Sequence, residues 1–312
     1  MEIQRRAARR TTRDEPRERL LDSLIRSQEW LDPVAEWLQG VIGALYGGLG
    51  RPGTALKNLL HGTTVLGHPL HPALIAVPLG AWTVGAIADW AAIASGRISM
   101  QTGDLALIVG LLVALAAALS GYTDFHETYG HERRTAVTHG LTMTAVIAVF
   151  ALSLALRWWG GPGAHVLAVV LSTLAYIGAQ AGAYIGGHLA FGLGTMVNRN
   201  AFVEGPAEFV AVGSPADFPE GVMRRVDAGG MPALLVRRQG ELCAIGAVCS
   251  HAGGPLDEGE LNGDTVTCPW HGSRFSVCSG RVEGGPATFD QPGFLVREQD
   301  GKVEVRLAQP QH

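Results

Sequence analysis

Charge is what this 312-residue chain has least of: 17% of its residues are Asp, Glu, Lys or Arg, against 47% that are hydrophobic. The scarcity is uneven. Residues 61–200 hold only five bases (Arg97, Arg133, Arg134, Arg157, Arg199) and five acids (Asp89, Asp104, Asp124, Glu127, Glu132), whereas residues 201–312 hold nine bases and fifteen acids. A charge-poor block beside a charge-rich one implies a membrane part joined to a water-facing part. The excess of acids in the latter excludes nucleic acid as its partner. Cysteine is also scarce, and all four (Cys243, Cys249, Cys268, Cys278) fall in the last third. That confinement speaks for chemistry at one place more than for a stapled secreted scaffold. Two arginine pairs, Arg5-Arg6 and Arg9-Arg10, lack the apolar stretch an export signal needs after them; Asp14, Glu15, Pro16 and Glu18 follow instead. The pattern reads as a solvated or headgroup-facing arm.

Four runs have the roughly 20 apolar residues that span a bilayer, at about 72–94, 104–122, 136–159 and 164–187. Their short connections imply an antiparallel four-helix bundle, with Pro72 at the start of the first helix. Bases concentrate in the first 60 residues, in the loop holding Arg133 and Arg134, and at Arg199, so both termini are expected on the cytoplasmic side of a bacterial inner membrane. Residues 20–49 read as amphipathic helix, with Leu20, Leu21, Leu24, Ile25, Trp30, Leu31, Trp37 and Leu38 available to the interface. The expected organisation is an N-terminal arm (1–60), a transmembrane domain (61–197), a linker (198–205) and an all-β domain (206–312).

The densest chemistry lies in Cys249-Ser-His251 and, further on, Cys268-Pro-Trp-His271-Gly-Ser-Arg-Phe275. Each box supplies one thiolate and one imidazole. Two Cys on one iron and two His on the other is the donor set of a Rieske [2Fe–2S] centre; a Cys2His2 zinc site is the competing use of the same residues, although zinc modules usually pair Cys-x-x-Cys with a separate His pair. With Gly253-Gly254-Pro255-Leu256 after the first box, Gly272-Ser273-Arg274-Phe275 closing the second, and Gly285-Pro286-Ala287 beyond, residues of about 206–308 resemble the Rieske family. The resemblance implies that Cys249, His251, Cys268 and His271 hold the cluster, with Ser273, Trp270, Phe275 and Pro286 around it. It implies one-electron transfer with a redox donor and acceptor that the sequence does not name. Trp270 stands where the respiratory branch has an additional cysteine, so the chain looks like the ferredoxin and oxygenase branch. Phe275 stands where the high-potential branch has a tyrosine donor, which implies a potential in the lower part of the roughly −150 to +300 mV Rieske range. Cys243 and Cys278 are expected as free thiols, one buried and one in a turn.

Two alternatives belong to other classes. The chain is a component of a multi-subunit membrane oxygenase or reductase, or it is a redox sensor. A complete Rieske oxygenase needs a further mononuclear-iron domain, and few residues follow Leu307. No complete catalytic site is visible, and the oligomeric state is not legible.

Histidines gather at one end of the spans. His68 and His71 lie in a His-Pro-Leu-His-Pro run that resembles a bacterial four-helix membrane family found fused to Rieske domains; the resemblance implies architecture only. His126, His131, His139 and His188 fall at the same end. Imidazoles from neighbouring helices at one depth can ligate a haem iron or another metal, with His71, His139 and His188 the candidates. Interfacial or capping histidines are the competing reading. Gly178, Gly182 and Gly186 give the fourth span a smooth groove for a helix or a flat macrocycle. Asp89 and Asp124 are read as a proton path or, with their positions near helix ends, as interfacially solvated carboxylates.

Overall fold

The computed structural model describes residues 20–96 and 100–308. The paired arginines of the N-terminal arm and Arg97 lie outside these residues. Seven helices precede ten strands: α1 (Leu20–Arg26), α2 (Leu31–Gly48), α3 (Arg51–His61), α4 (Leu70–Ser95), α5 (Met100–Phe125), α6 (Gly130–Trp159) and α7 (His165–His188), the last continuing as a π-turn over Leu189–Leu193. Helices α4 to α7 are long and apolar enough to cross a membrane. Helices α4 and α5 start and stop beyond the hydropathic runs and α6 starts before its run, because capping, not hydropathy, ends a helix. Helix α4 begins at Leu70 with Pro72 still in its first turn, where the missing N–H costs nothing, and it ends on Gly96 in the left-handed region. Helix α6 begins at Gly130, so His139 lies more than two turns in.

The bundle is two helical hairpins, α4–α5 and α6–α7, related by an approximate two-fold. Three contacts between α4 and α6 display it. The rings of His71 and His139 have centres 6.1 Å apart and planes at 79°, Trp82 stacks on Phe150 at 4.3 Å, and Asp89 pairs with Arg157. In every case the partner lies 68 positions further along the chain. Asp89 and Arg157 are each 1% exposed. The guanidinium also donates to Asp104 at 3.0 Å and to Ser172 at 3.1 Å, tying all four spans together. The reading of Asp89 as an interfacially solvated carboxylate is therefore corrected: it is an internal counter-ion.

The arm helices cap one end of the bundle. Leu31 and Ala35 of α2 are buried with Phe125, Ala136, Val137 and Leu189, and the Gln39 amide donates to the carbonyl oxygens of Phe125 and Thr128. Of the apolar residues expected at the interface, Ile25 and Leu31 turn inward, while Leu20, Leu24, Trp30 and Trp37 stay exposed.

The strands form three antiparallel sheets: β1 (Val210–Gly213), β10 (Lys302–Leu307) and β9 (Phe294–Gln299); β2 (Arg224–Ala228), β3 (Met231–Arg238) and β4 (Glu241–Gly246); and β5 (Glu260–Asn262), β6 (Thr265–Thr267), β7 (Arg274–Ser276) and β8 (Val282–Gly284). Strand β3 sends Leu234 and Val236 into one core with Ile245, Val266 and Phe275, and Ala233 and Leu235 into another with Phe218, Phe294 and Val305. Period-2 alternation thus puts one strand between two cores.

Candidate functional site

Both Cys/His boxes are loops built the same way. In the first, Cys249 N–H donates to Gly254 O at 2.8 Å and Gly253 N–H returns to Cys249 O at 2.9 Å. In the second, Cys268 N–H donates to Ser273 O at 2.8 Å and Gly272 N–H returns to Cys268 O at 3.1 Å. The closing glycines have φ of 84° and 71°, a conformation other residues adopt at a cost. Gly254 lies so close to the second loop that a Cβ would stand 2.7 Å from Cys268 Sγ. The loops therefore converge, thiol beside thiol and imidazole beside imidazole.

Cys249 and Cys268 are buried, unbridged, and within hydrogen-bonding reach of one another. The hydrogen bond from Cys249, aided by the N–H groups of Trp270 and His271, lowers the Cys268 thiol below its ordinary value. The rings of His251 and His271 lie 5.0 Å apart at 86°. Burial pushes His251 down to about 3 and lowers His271, so both imidazoles are neutral at pH 7, as metal ligands must be. The Nδ1 atoms of both rings are buried with no hydrogen-bond partner. Orphaned ring nitrogens beside two buried thiols fit a two-iron cluster that takes two protein ligands on each iron. Among the described residues no single point gathers three or more Cys, His or carboxylate donors, the arrangement one tetrahedral zinc would need.

Around these four, Ser273 is fully buried and its Oγ accepts from Ala287 N–H at 3.1 Å, leaving its own proton to donate. Phe275 is buried in the core shared with both cysteines, and Pro286 is buried beside Ala287, whereas Trp270 is half exposed. Cys243 and Cys278 form a disulfide with Cα atoms 4.5 Å apart, which corrects the expectation of two free thiols. It closes a loop containing all four Cys/His positions. Cys243 lies on β4 and Cys278 in the turn after β7, in different sheets whose side chains share one core, and nothing in the local sequence of either cysteine shows the pairing.

The imidazole tip is not open to solvent on all sides. It rests on the capped end of the bundle. The His271 ring lies 5.0 Å from Tyr129, at the entry of α6, and Phe289 lies 6.4 Å from His68. Thr63 Oγ1 donates to Gly285 O at 2.8 Å, and Asn58 Oδ1 accepts from Gly285 N–H. Arg199 N–H donates to Ser250 O at 3.0 Å and the Asn200 amide to Val248 O at 3.0 Å, so the segment between the parts is pinned to the first loop rather than slack. Between His251 and the helix ends lies a cavity of about 20 Å3, room for roughly one water, lined by Asp124, Glu127, Thr128, Glu132 and Arg199 among others. Burial would raise the Glu127 carboxyl, but hydrogen bonds from His126 and Lys57 and the Lys57 charge prevail and hold it at about 2. Sequence reasoning did not single out Asn58, His61, Thr63 or Tyr129. His61 is fully buried and its Nδ1–H donates to Asp124 at 2.7 Å, but no local motif marks such residues.

Residues 208–295 match the Rieske [2Fe-2S] domain model, and residues 67–199 match that of a predicted membrane protein family, DUF2231. Ferredoxin CarAc of Metapseudomonas resinovorans is 36% identical over 98 residues, which are 31% of this chain and 92% of that protein. The chain belongs to the Rieske family. Its cofactor is accordingly a Rieske [2Fe–2S] cluster, and with the DUF2231 match and four apolar helices it is a multi-pass membrane protein. Apoptosis-inducing factor 3 of Mus musculus is 38% identical over 92 residues, and the chain spans only 15% of that protein's length. The ferredoxin of carbazole 1,9a-dioxygenase from Nocardioides aromaticivorans IC177 is 27% identical, with 31% of this Rieske chain and 95% of that chain covered and a TM-score of 0.30.

Proposed function

We propose that this chain is a membrane-anchored one-electron carrier in which Cys249 and Cys268 hold one iron and His251 and His271 the other. When bound, the cluster accepts and releases single electrons. The protein's part is to keep both imidazoles neutral, exclude bulk water from the sulfur side, and offer the Ser273 hydroxyl as a donor. The observation that carries the reading further than an anchored ferredoxin is the seating of the imidazole tip on the bundle, through Tyr129, Thr63 and Arg199. Electrons leaving by the histidine edge meet the membrane domain first.

The cluster side is assigned to the cytoplasm of a bacterial inner membrane, on the weight of bases in the first 60 residues and at Arg199. The Cys243–Cys278 disulfide pulls the other way, because a reducing compartment holds such a pair as two thiols. Antibody access to a C-terminal epitope tag in intact spheroplasts and in inside-out vesicles separates the two. Access in the vesicles alone supports the cytoplasmic assignment; access in spheroplasts overturns it.

Similarity to ferredoxin components of dioxygenase systems supports a second reading, in which the partner is a membrane-associated oxygenase. Electron paramagnetic resonance of reduced membranes with redox titration tests the central reading. A His-ligated [2Fe–2S] signal titrating in the lower part of the roughly −150 to +300 mV range is expected; no such signal at two irons per chain ends it.

A further inference from the structure

His71 on α4 and His139 on α6 are the two-fold mates at the capped end of the bundle, and each is held in the same way. His71 Nδ1–H donates to Ala117 O of α5 at 2.8 Å, and His139 Nδ1–H donates to Gly182 O of α7 at 2.9 Å. Four residues on from each acceptor is a glycine against which the ring lies. A Cβ at Gly121 would stand 2.9 Å from His71 Cε1, and one at Gly186 would stand 2.9 Å from His139 Cε1. Donation through Nδ1 to a backbone carbonyl fixes the tautomer in which Nε2 carries the lone pair, which is how proteins prepare a histidine for a metal. Neither Nε2 has a hydrogen-bond partner among the described residues, and both rings are only partly buried.

The spacing selects the ligand. A metal–nitrogen bond of about 2.1 Å on each side, with about 1.1 Å from nitrogen to ring centre, sets two axial imidazoles about 6.4 Å apart centre to centre; the rings stand at 6.1 Å. A bare zinc or copper ion would ask the protein for further ligands, and among the described residues no third His, Cys or carboxylate joins the pair. His188 is not joined to it: its ring lies over Gly192, in the π-turn that follows α7. We propose that His71 and His139 are the axial ligands of one haem, whose macrocycle supplies the other four nitrogens.

The position gives that haem a partner. His68, three residues before His71, meets Phe289, and Phe289 O accepts from Ser250 Oγ, next to Cys249. One electron passing from the reduced cluster to a ferric haem iron oxidises the former and reduces the latter, with no bond made or broken. This role rests on the proposed cluster ligation; haem binding does not, and the two are read by different signals.

The test is titration of hemin into the purified full chain in detergent micelles. A Soret shift saturating at one hemin per chain, with a six-coordinate low-spin spectrum, is expected. His71→Ala and His139→Ala each weaken binding at least tenfold, and His188→Ala stays within twofold. The cluster's paramagnetic signal in the same samples reports whether each variant is folded, and the wild-type spin state needs no variant. Absence of saturable binding, a high-spin five-coordinate spectrum, or unchanged affinity in both folded variants overturns the proposal.

Discussion

The two parts of the molecule bring distant polar groups together by different geometry. In the cluster domain the four candidate ligands sit on two short loops, and each loop carries its own instructions: a Cys, a His two or three residues on, and a glycine with positive φ four residues after the Cys. In the bundle the corresponding groups sit one per helix, and a two-fold relation between hairpins brings His71 to His139 and Asp89 to Arg157. A loop site tolerates change around it so long as its turns close. A helix-borne pair depends on the register of the whole bundle.

The largest effect is expected at the loop site. His271→Cys replaces an imidazole by a thiolate, and the Rieske signature should vanish from the reduced-state paramagnetic spectrum altogether, giving way to that of a more cysteine-rich cluster of lower potential or to no cluster. Retention of the wild-type spectrum would show that His271 is not a ligand. Next comes the helix-borne ion pair. Asp89→Ala leaves Arg157 at 1% exposure with only Asp104, itself partly exposed, as counter-ion. Stripping one partner from a buried pair costs about 3–5 kcal/mol, whereas replacing both by apolar residues recovers most of it. Denaturation of Asp89→Ala and of Asp89→Leu/Arg157→Met in the same detergent measures both; a double variant as unstable as the single would mean the pair does more than neutralise itself.

The disulfide ranks third and acts on the loops from outside. Cys278→Ser opens a loop of sequence separation 35, for which chain entropy gives about 2–4 kcal/mol. The loss should appear in oxidised protein and disappear when wild type and variant are compared under reductant. Equal stability under oxidising conditions would show that the bridge does not constrain the unfolded chain.

These contrasts also explain what the sequence made legible. The cluster ligands were readable because each box is local, and the four spans because hydropathy is. The strands Arg224–Ala228, Glu260–Asn262, Arg274–Ser276 and Val282–Gly284 carry no such signal: the first is rich in charge, and the others are three residues long and held by pairing with their neighbours. Asp89 was misread because its place near a helix end says nothing of which face meets Arg157. The Cys243–Cys278 bridge was missed because its two ends belong to different sheets, brought together by packing on one core. The 68-residue offset lies in the sequence, but His, Trp and Asp answer to His, Phe and Arg. Only the histidines repeat their letter, and one matching position in three marks no repeat.

The smallest expected effect probes the seam between the parts. Thr63 Oγ1 and Asn58 Oδ1 grip opposite sides of one residue, Gly285, through its carbonyl and its N–H. Gly285 has φ of 85°, and a Cβ there would press on the Ser273 backbone 2.6 Å away, so this turn has little room to shift. Each hydrogen bond contributes about 1 kcal/mol, and neither residue belongs to the cluster loops or the bundle core. Thr63→Val with Asn58→Ala should therefore leave global unfolding nearly unchanged while the docked face opens more often. Amide exchange over residues 284–289 and 250–254 reads that opening, with about a tenfold faster rate expected for roughly 1.4 kcal/mol of lost docking. If exchange there is unchanged, the cluster domain is held by the pinned segment at Arg199 and Asn200 instead, and Asn200→Ala, which removes the side-chain donor to Val248 O, should then produce the opening.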